Sequence, residues 1–208
     1  MTEIEIKAHV YDRNALKEKL KSFAVLYQTV EKHDTYYHLA VEDRLINGKP
    51  YLTCRIRREF KQTENGVQES ACLTYKKKEI IEDNSSAIEV NDEKESLIEN
   101  PEAVEVLLAD IGFTEARKKV KKVEAYSAET PYGKANLELC NVEKLGDFLE
   151  IEILSEKSDK DTVERIKNEL KALLKKSGIP ENQIEPKYYN QMLRELEEQD
   201  GRTVHPEV

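Results

Sequence analysis

The chain lacks tryptophan altogether and has only three cysteines, four histidines and seven glycines in 208 residues. Cys54, Cys72 and Cys140 are odd in number and far apart, with no spacing that would chelate a metal or cycle as a redox pair. They read as free thiols in a reducing compartment. His9, His33, His38 and His205 show no ligand spacing either, which makes them ordinary surface or core histidines. No apolar run approaches the length of a bilayer span, and no secretory or transit signal is recognisable, so a cytoplasmic protein without a membrane partner is expected. Positive charge is in deficit: 33 Lys and Arg face 42 Asp and Glu, for a net charge of -9. That excludes a general nucleic-acid binder and requires any site for an anion to concentrate its cations locally.

What remains is a polar composition, 38% hydrophobic and 36% charged, in which the apolar residues are spread and periodic. There is no repeat, low-complexity tract or linker, and disorder is not expected. The length suits one medium domain, taken here as 1–198, followed by a loose tail over 199–208.

The opening Glu3-Ile4-Glu5-Ile6-Lys7 alternates at period two, so as a strand it sets Glu3, Glu5 and Lys7 on one face and Ile4, Ile6, Ala8 and Val10 on the other. A short helix follows, capped by Asp12 or Asn14 with Leu16 and Leu20 facing inward. Strands are expected at 25–41, 51–60 and 67–78, turned by Asn47-Gly48 and Asn65-Gly66, with a fifth inside 79–99. Asn100-Pro101 starts a helix whose stripe is Val104, Leu107, Leu108 and Ile111, with Gly112 at its end. Strands at 113–127, 134–142 and 147–155 come next. Ser158 or Asp159 caps a longer helix carrying Val163, Ile166, Leu170, Leu173 and Leu174, and a last helix carries Tyr188, Tyr189, Met192, Leu193 and Leu196. About eight strands with tight turns and helices inserted late give an α+β fold with an antiparallel sheet or barrel.

Several strands repeat the first one's pattern. Arg55 and Arg57 share a face; so do Thr74, Lys76 and Lys78, Lys119 and Lys121, and Glu150 and Glu152. Like charges as near neighbours on a sheet repel, by up to about 1 kcal/mol for an opposed pair, unless opposite charge lies between them. One solution curls the sheet into a closed eight-stranded antiparallel barrel, a tunnel lined by both signs, with the apolar faces outside under the helices. The other is an open sheet whose charged face meets water. Periodicity does not choose between them, although arginine at both 55 and 57 suits bidentate recognition of an oxyanion. The run Arg117-Lys118-Lys119-Val120-Lys121-Lys122 also admits a nucleic-acid patch or a solvated strand end; with this net charge no nucleic-acid partner is expected.

The opening ExExK pattern resembles the signature of the CYTH superfamily, the triphosphate tunnel metalloenzymes. Asp34-Thr35-Tyr36-Tyr37, Arg55-Ile56-Arg57, Leu73-Thr74-Tyr75-Lys76 and Leu145-Gly146-Asp147-Phe148-Leu149-Glu150-Ile151-Glu152 are similar to the family's later motifs, in order. The opening and the Asp-Thr-Tyr-Tyr run look closest to the class IV adenylate cyclase branch. The resemblance implies a tunnel that binds a triphosphate with Mg²⁺ or Mn²⁺. Glu3, Glu5, Glu150 and Glu152 would hold the metal and carry catalysis, joined by a fifth-strand carboxylate, here assigned to Glu93, with Glu89 and Glu95 on the same parity. Lys7, Arg55, Arg57, Lys76 and Lys121 would grip phosphate oxygens.

Two positions depart from the pattern. The family's sixth-strand K-x-R falls on Lys121 and Val123, and its Leu-Asp-x-Val reads Leu139-Cys140-Asn141-Val142, with Glu138 available on the face of Cys140. The implied activity is conversion of ATP to cyclic AMP and pyrophosphate. The alternatives are an inorganic or thiamine triphosphatase, or a polyphosphate-binding module with weakened catalysis, which Val123 and Cys140 favour. The oligomeric state stays open between monomer and homodimer.

Overall fold

The computed structural model describes residues 2–40, 51–78, 88–157 and 159–199, with backbone alone for residues 51, 76–78 and 88–93. In chain order the elements are β1 (Thr2–His9), α1 (Arg13–Lys21), β2 (Val25–Ala40), β3 (Tyr51–Thr63), β4 (Gly66–Lys78) and β5 (Ile88–Leu97). They continue with α2 (Pro101–Asp110), β6 (Thr114–Thr130), β7 (Gly133–Val142), β8 (Gly146–Ser155), α3 (Lys160–Lys176) and α4 (Tyr189–Gln199), with a 3-10 turn at Glu181–Gln183. The helices start where local chemistry allows: the side chains of Asp12, Asn100 and Asp159 accept from the backbone N–H of Ala15, Ala103 and Thr162, which satisfies donors the first helical turn leaves free. The helix α2 ends into Gly112 at φ +98°, a conformation glycine adopts without steric cost. The predicted Asn47-Gly48 turn and the tail from Asp200 lie outside the described residues, while Gln199 is the last residue of α4.

The eight strands form one antiparallel sheet in the order β1-β5-β4-β3-β2-β6-β7-β8. The sheet curls so far that β1 pairs with β8 along its whole length, from Thr2↔Ser155 to His9↔Phe148, and also with β5 over Glu3↔Asn91 to Ile6↔Ile88. Past Ile6, where β5 stops, the segment after α3 takes over the free edge of β1. Ala8 bridges Ile184, and the Glu185 N–H donates to the Lys7 carbonyl at 2.8 Å.

The two faces of the curled sheet are divided as an inside-out arrangement requires. Ile4, Ile6, Ala8, Leu149, Ile151 and Ile153 face outward and pack under α1 and α3, against Leu16, Leu20, Val163, Ile166, Leu170, Leu173 and Leu174. The charged rows on the opposite parity are not solvated: Lys7, Arg55, Lys119, Lys121 and Glu150 are all buried. An open sheet facing water would leave them exposed. The open-sheet alternative is therefore set aside.

Two helices depart from their expected packing. Of the α2 stripe Val104 and Leu108 pack on the sheet, with Tyr37 and Ile56, while Leu107 and Ile111 stay 57% and 56% exposed; Glu102 and Glu105 of the same helix pair with Arg58 of β3. More consequentially, α4 does not lie outside. Tyr189 and Met192 pack with Val30, Val123, Cys140, Val142 and Phe148, all on the inward parity of their strands, so α4 covers one end of the curl, where the inward rows turn apolar. Among the described residues no helix is long and apolar enough to cross a membrane.

Deleting most of the fully buried Leu170 side chain should cost about 2–5 kcal/mol, from lost burial and the cavity left behind. The same change at exposed Leu107 should stay within about 0.5 kcal/mol. Urea denaturation of Leu170→Ala and Leu107→Ala checks both.

Candidate functional site

Inside the curl the charges form two knots. The first centres on Asp34, whose side chain is wholly buried. Arg57 grips it with both forks, Nε at 2.6 Å from one oxygen and Nη2 at 2.9 Å from the other. Lys119 Nζ stands 3.0 Å away and Arg55 Nη1 4.0 Å. The ladders explain the meeting: Asp34 lies directly opposite Arg57 on β3 and Lys119 on β6. Burial alone would raise the Asp34 pKa, but Lys119 and Arg57 outweigh it and hold the carboxyl well below its usual range. Arg55 also donates to Thr74 Oγ1 at 3.0 Å and to half-exposed Glu95 at 3.3 Å. Cations still outnumber carboxylates here, and an anion would be attracted.

The second knot centres on Lys121, which donates to Glu138 at 2.9 Å and to Glu150 at 2.5 Å. Lys32 meets the other Glu138 oxygen at 2.6 Å. Despite burial, these ammoniums lower the pKa of both carboxyls. Cys140 Sγ sits 3.7 Å from a Glu150 oxygen, and burial together with that carboxylate pushes the thiol well up, so it stays protonated. Ligand atoms of Glu138, Cys140 and Glu150 lie within 4.8 Å of one another. The Lys121 ammonium already stands between the two carboxylates, however, and fills the place a cation would take.

A third group of carboxylates runs beside these knots. Glu5 lies directly opposite Glu152 on β8 and Glu89 on β5, with Glu3 two residues along β1. Glu3, Glu5 and Glu152 are partly buried. Hard oxygen donors at neighbouring inward positions are the ligand type that suits Mg²⁺ or Mn²⁺.

The structure thus brings together Arg55 and Arg57, Lys121 and Glu150, and Glu3, Glu5 and Glu152. Lys7 is near but engaged elsewhere: its Nζ donates to the Lys187 carbonyl and lies 4.7 Å from the Tyr189 ring centroid. The side chains of Lys76 and Glu93 are not described; their backbones pair with each other on β4 and β5. By register Glu89 is the fifth-strand residue opposite Glu5, and Glu95 is the one whose side chain meets Arg55. In the sixth strand Val123 lies in the apolar cluster under α4, on the same inward parity as Lys119 and Lys121. Arg117 faces inward as well, its Nη2 2.8 Å from Glu197 of α4. The basic run is therefore split between the two faces of β6. Asp34, Lys32, Lys119 and Tyr189 are the residues that sequence reasoning missed. For Asp34 and Lys32 the available signal was parity, since Val30, Lys32, Asp34 and Tyr36 alternate as the other charged rows do.

Asp34 and Glu138 ionise more readily folded than unfolded. Their contribution to stability is present above the ordinary carboxyl pKa of about 4 and is lost as pH falls through their lower folded values. Asp34→Asn should cost about 3–5 kcal/mol at neutral pH, because it strands Arg57 and Lys119 among buried groups. It should also flatten the loss of stability below about pH 4. Urea midpoints across a pH series, wild type against variant, measure both effects.

No curated protein matches the chain. Among solved structures, a protein of Pyrococcus horikoshii is 27% identical, with a TM-score of 0.72, covering 93% of this chain and 99% of its own. A candidate adenylate cyclase from Vibrio parahaemolyticus, 17% identical, has a TM-score of 0.68 and coverage of 93% and 98%. A candidate adenylyl cyclase from Hippeastrum, described as having a dominant triphosphatase activity, is 18% identical with a TM-score of 0.55 and 97% of each chain covered. At these last two identities the likeness shows the fold alone. The sequence profile of the CYTH domain matches residues 1–189, from the curled sheet through α3 to the first residue of α4, and the chain belongs to the CYTH family.

Proposed function

We propose that the chain is a divalent-metal-dependent enzyme acting on a triphosphate, with the whole of 1–198 serving as one tunnel domain and ATP cyclisation as its reaction. The observation that carries this reading is the buried, cation-rich Asp34 knot inside the same curl as the inward carboxylates Glu3, Glu5 and Glu152. Surplus cations for phosphate oxygens stand beside hard ligands for the metal that accompanies them. Glu3, Glu5 and Glu152 would hold the ion, with Glu89 in the place expected of Glu93; Glu150 is tied to Lys121 and joins only if that pair opens. The metal, when bound, neutralises the triphosphate and polarises the α-phosphorus.

The rest falls to the chain's own groups. Arg55, Arg57, Lys7, Lys119 and Lys121 take up oxygens of the β and γ phosphoryl groups and stabilise charge that builds on leaving pyrophosphate. The ribose 3′-oxygen attacks the α-phosphorus, the bond to the bridging oxygen of the β-phosphate breaks, and the hydroxyl proton passes to solvent. Asp34 acts as a positioning residue: it fixes the plane of Arg57 while Lys119 also donates to the Tyr36 hydroxyl at 3.0 Å. The Asp-Thr-Tyr-Tyr run that resembles the cyclase branch is thus the part of β2 that organises the basic arm, and this favours cyclisation over hydrolysis.

Incubation with ATP and Mg²⁺ or Mn²⁺ should give cyclic AMP and pyrophosphate in equal amounts. Orthophosphate release without cyclic AMP would assign a triphosphatase instead, and tripolyphosphate binding without turnover a binding module. Glu5→Ala and Glu152→Ala should abolish metal-dependent turnover. Their metal-free melting temperatures, measured beside wild type, separate loss of a ligand from loss of the fold.

A further inference from the structure

Tyr189, the first residue of α4, is 8% exposed and stands among the site's charged groups. Its ring centroid is 4.7 Å from Lys7 Nζ and 5.1 Å from Lys119 Nζ, and Phe148 meets the ring edge-on at 5.0 Å. Its hydroxyl is fully buried without a well-formed hydrogen bond. The group within its reach is the Glu150 carboxylate, which already accepts from Lys121. A hydroxyl so weakly satisfied at such depth adds little stability, and apolar packing alone would be served as well by phenylalanine.

We propose that Tyr189 is a further triphosphate-binding residue: its ring carries the ammoniums of Lys7 and Lys119, and its hydroxyl is held ready to donate to an oxygen of the phosphoryl group those two lysines meet. This rests on the triphosphate reading above and adds to it the role of α4. The helix is the floor of the site. A phosphate reaching Lys7 also replaces the Lys187 carbonyl that Lys7 now uses, so ligand and α4 share one set of cations. Because α4 covers this end, the phosphate chain ends at Tyr189 and the organic group of the substrate points toward the opposite end.

The test is isothermal titration calorimetry with inorganic tripolyphosphate in Mg²⁺ buffer, paired with thermal melting of the ligand-free protein, for wild type, Tyr189→Phe and Tyr189→Leu. Loss of one hydrogen bond to a charged oxygen should weaken binding by Tyr189→Phe roughly 10- to 100-fold. Its melting temperature should be unchanged or higher. Tyr189→Leu, which also removes the ring under both ammoniums, should bind more weakly still. Wild-type binding that Tyr189→Phe leaves unchanged overturns the inference while the triphosphate reading stands. A parallel fall in affinity and melting temperature in Tyr189→Phe also overturns it, since it marks a structural role. No binding by the wild type overturns the triphosphate reading and this inference with it.

Discussion

Asp34 held by both forks of Arg57, with Lys119 alongside, is the interaction on which the interior depends. Curling the sheet turns its charged parity away from water, and each ion there loses hydration that only a close opposite charge restores. A buried pair of this kind adds little net stability over an apolar pair of the same shape. What it does is fix where charge sits. With one carboxylate among several cations on β2, β3 and β6, the knot holds its guanidinium planes in place and stays electropositive.

The same constraint shapes the outside. With its ions turned inward, each strand presents its apolar parity outward, where it needs cover. The helices α1 and α3 provide it, through a stripe of leucines and isoleucines from which water is excluded. On one side of the interior the logic reverses, because the inward rows there carry Val30, Val123, Cys140, Val142 and Phe148. There α4 enters the mouth and brings Tyr189 down to the charged layer. The turn after α3 and the bridge at Ile184 hold this cover against the edge of β1 that β5 leaves free.

The second knot shows how the chain accommodates a cysteine where an aspartate is the family pattern. Glu138 supplies the carboxylate one inward position away, and Lys32 and Lys121 neutralise it together with Glu150. The protonated Cys140 thiol fills space beside them without adding charge. An internal ammonium thus does at Glu138 and Glu150 what a bound cation would do.

By itself the sequence determined the elements and their faces. Period-two alternation in β1, β3 and β8, the Asp12, Asn100 and Asp159 caps and the leucine stripe of α3 are local, because neighbouring residues on one strand or helix obey fixed geometry. Glu3, Glu5, Arg55, Arg57, Lys121, Glu150 and Glu152 were legible as candidate site residues for the same reason. Only the tertiary structure decided which charges meet. Asp34 finds Arg57 and Lys119 through two separate ladders, and Glu5 faces Glu89 through the β1–β5 register, neither of which is set by spacing along the chain. Tyr189 belongs to the site because α4 enters the curl at an end whose inward residues are apolar, a choice made by burial summed over five elements and invisible in any one of them.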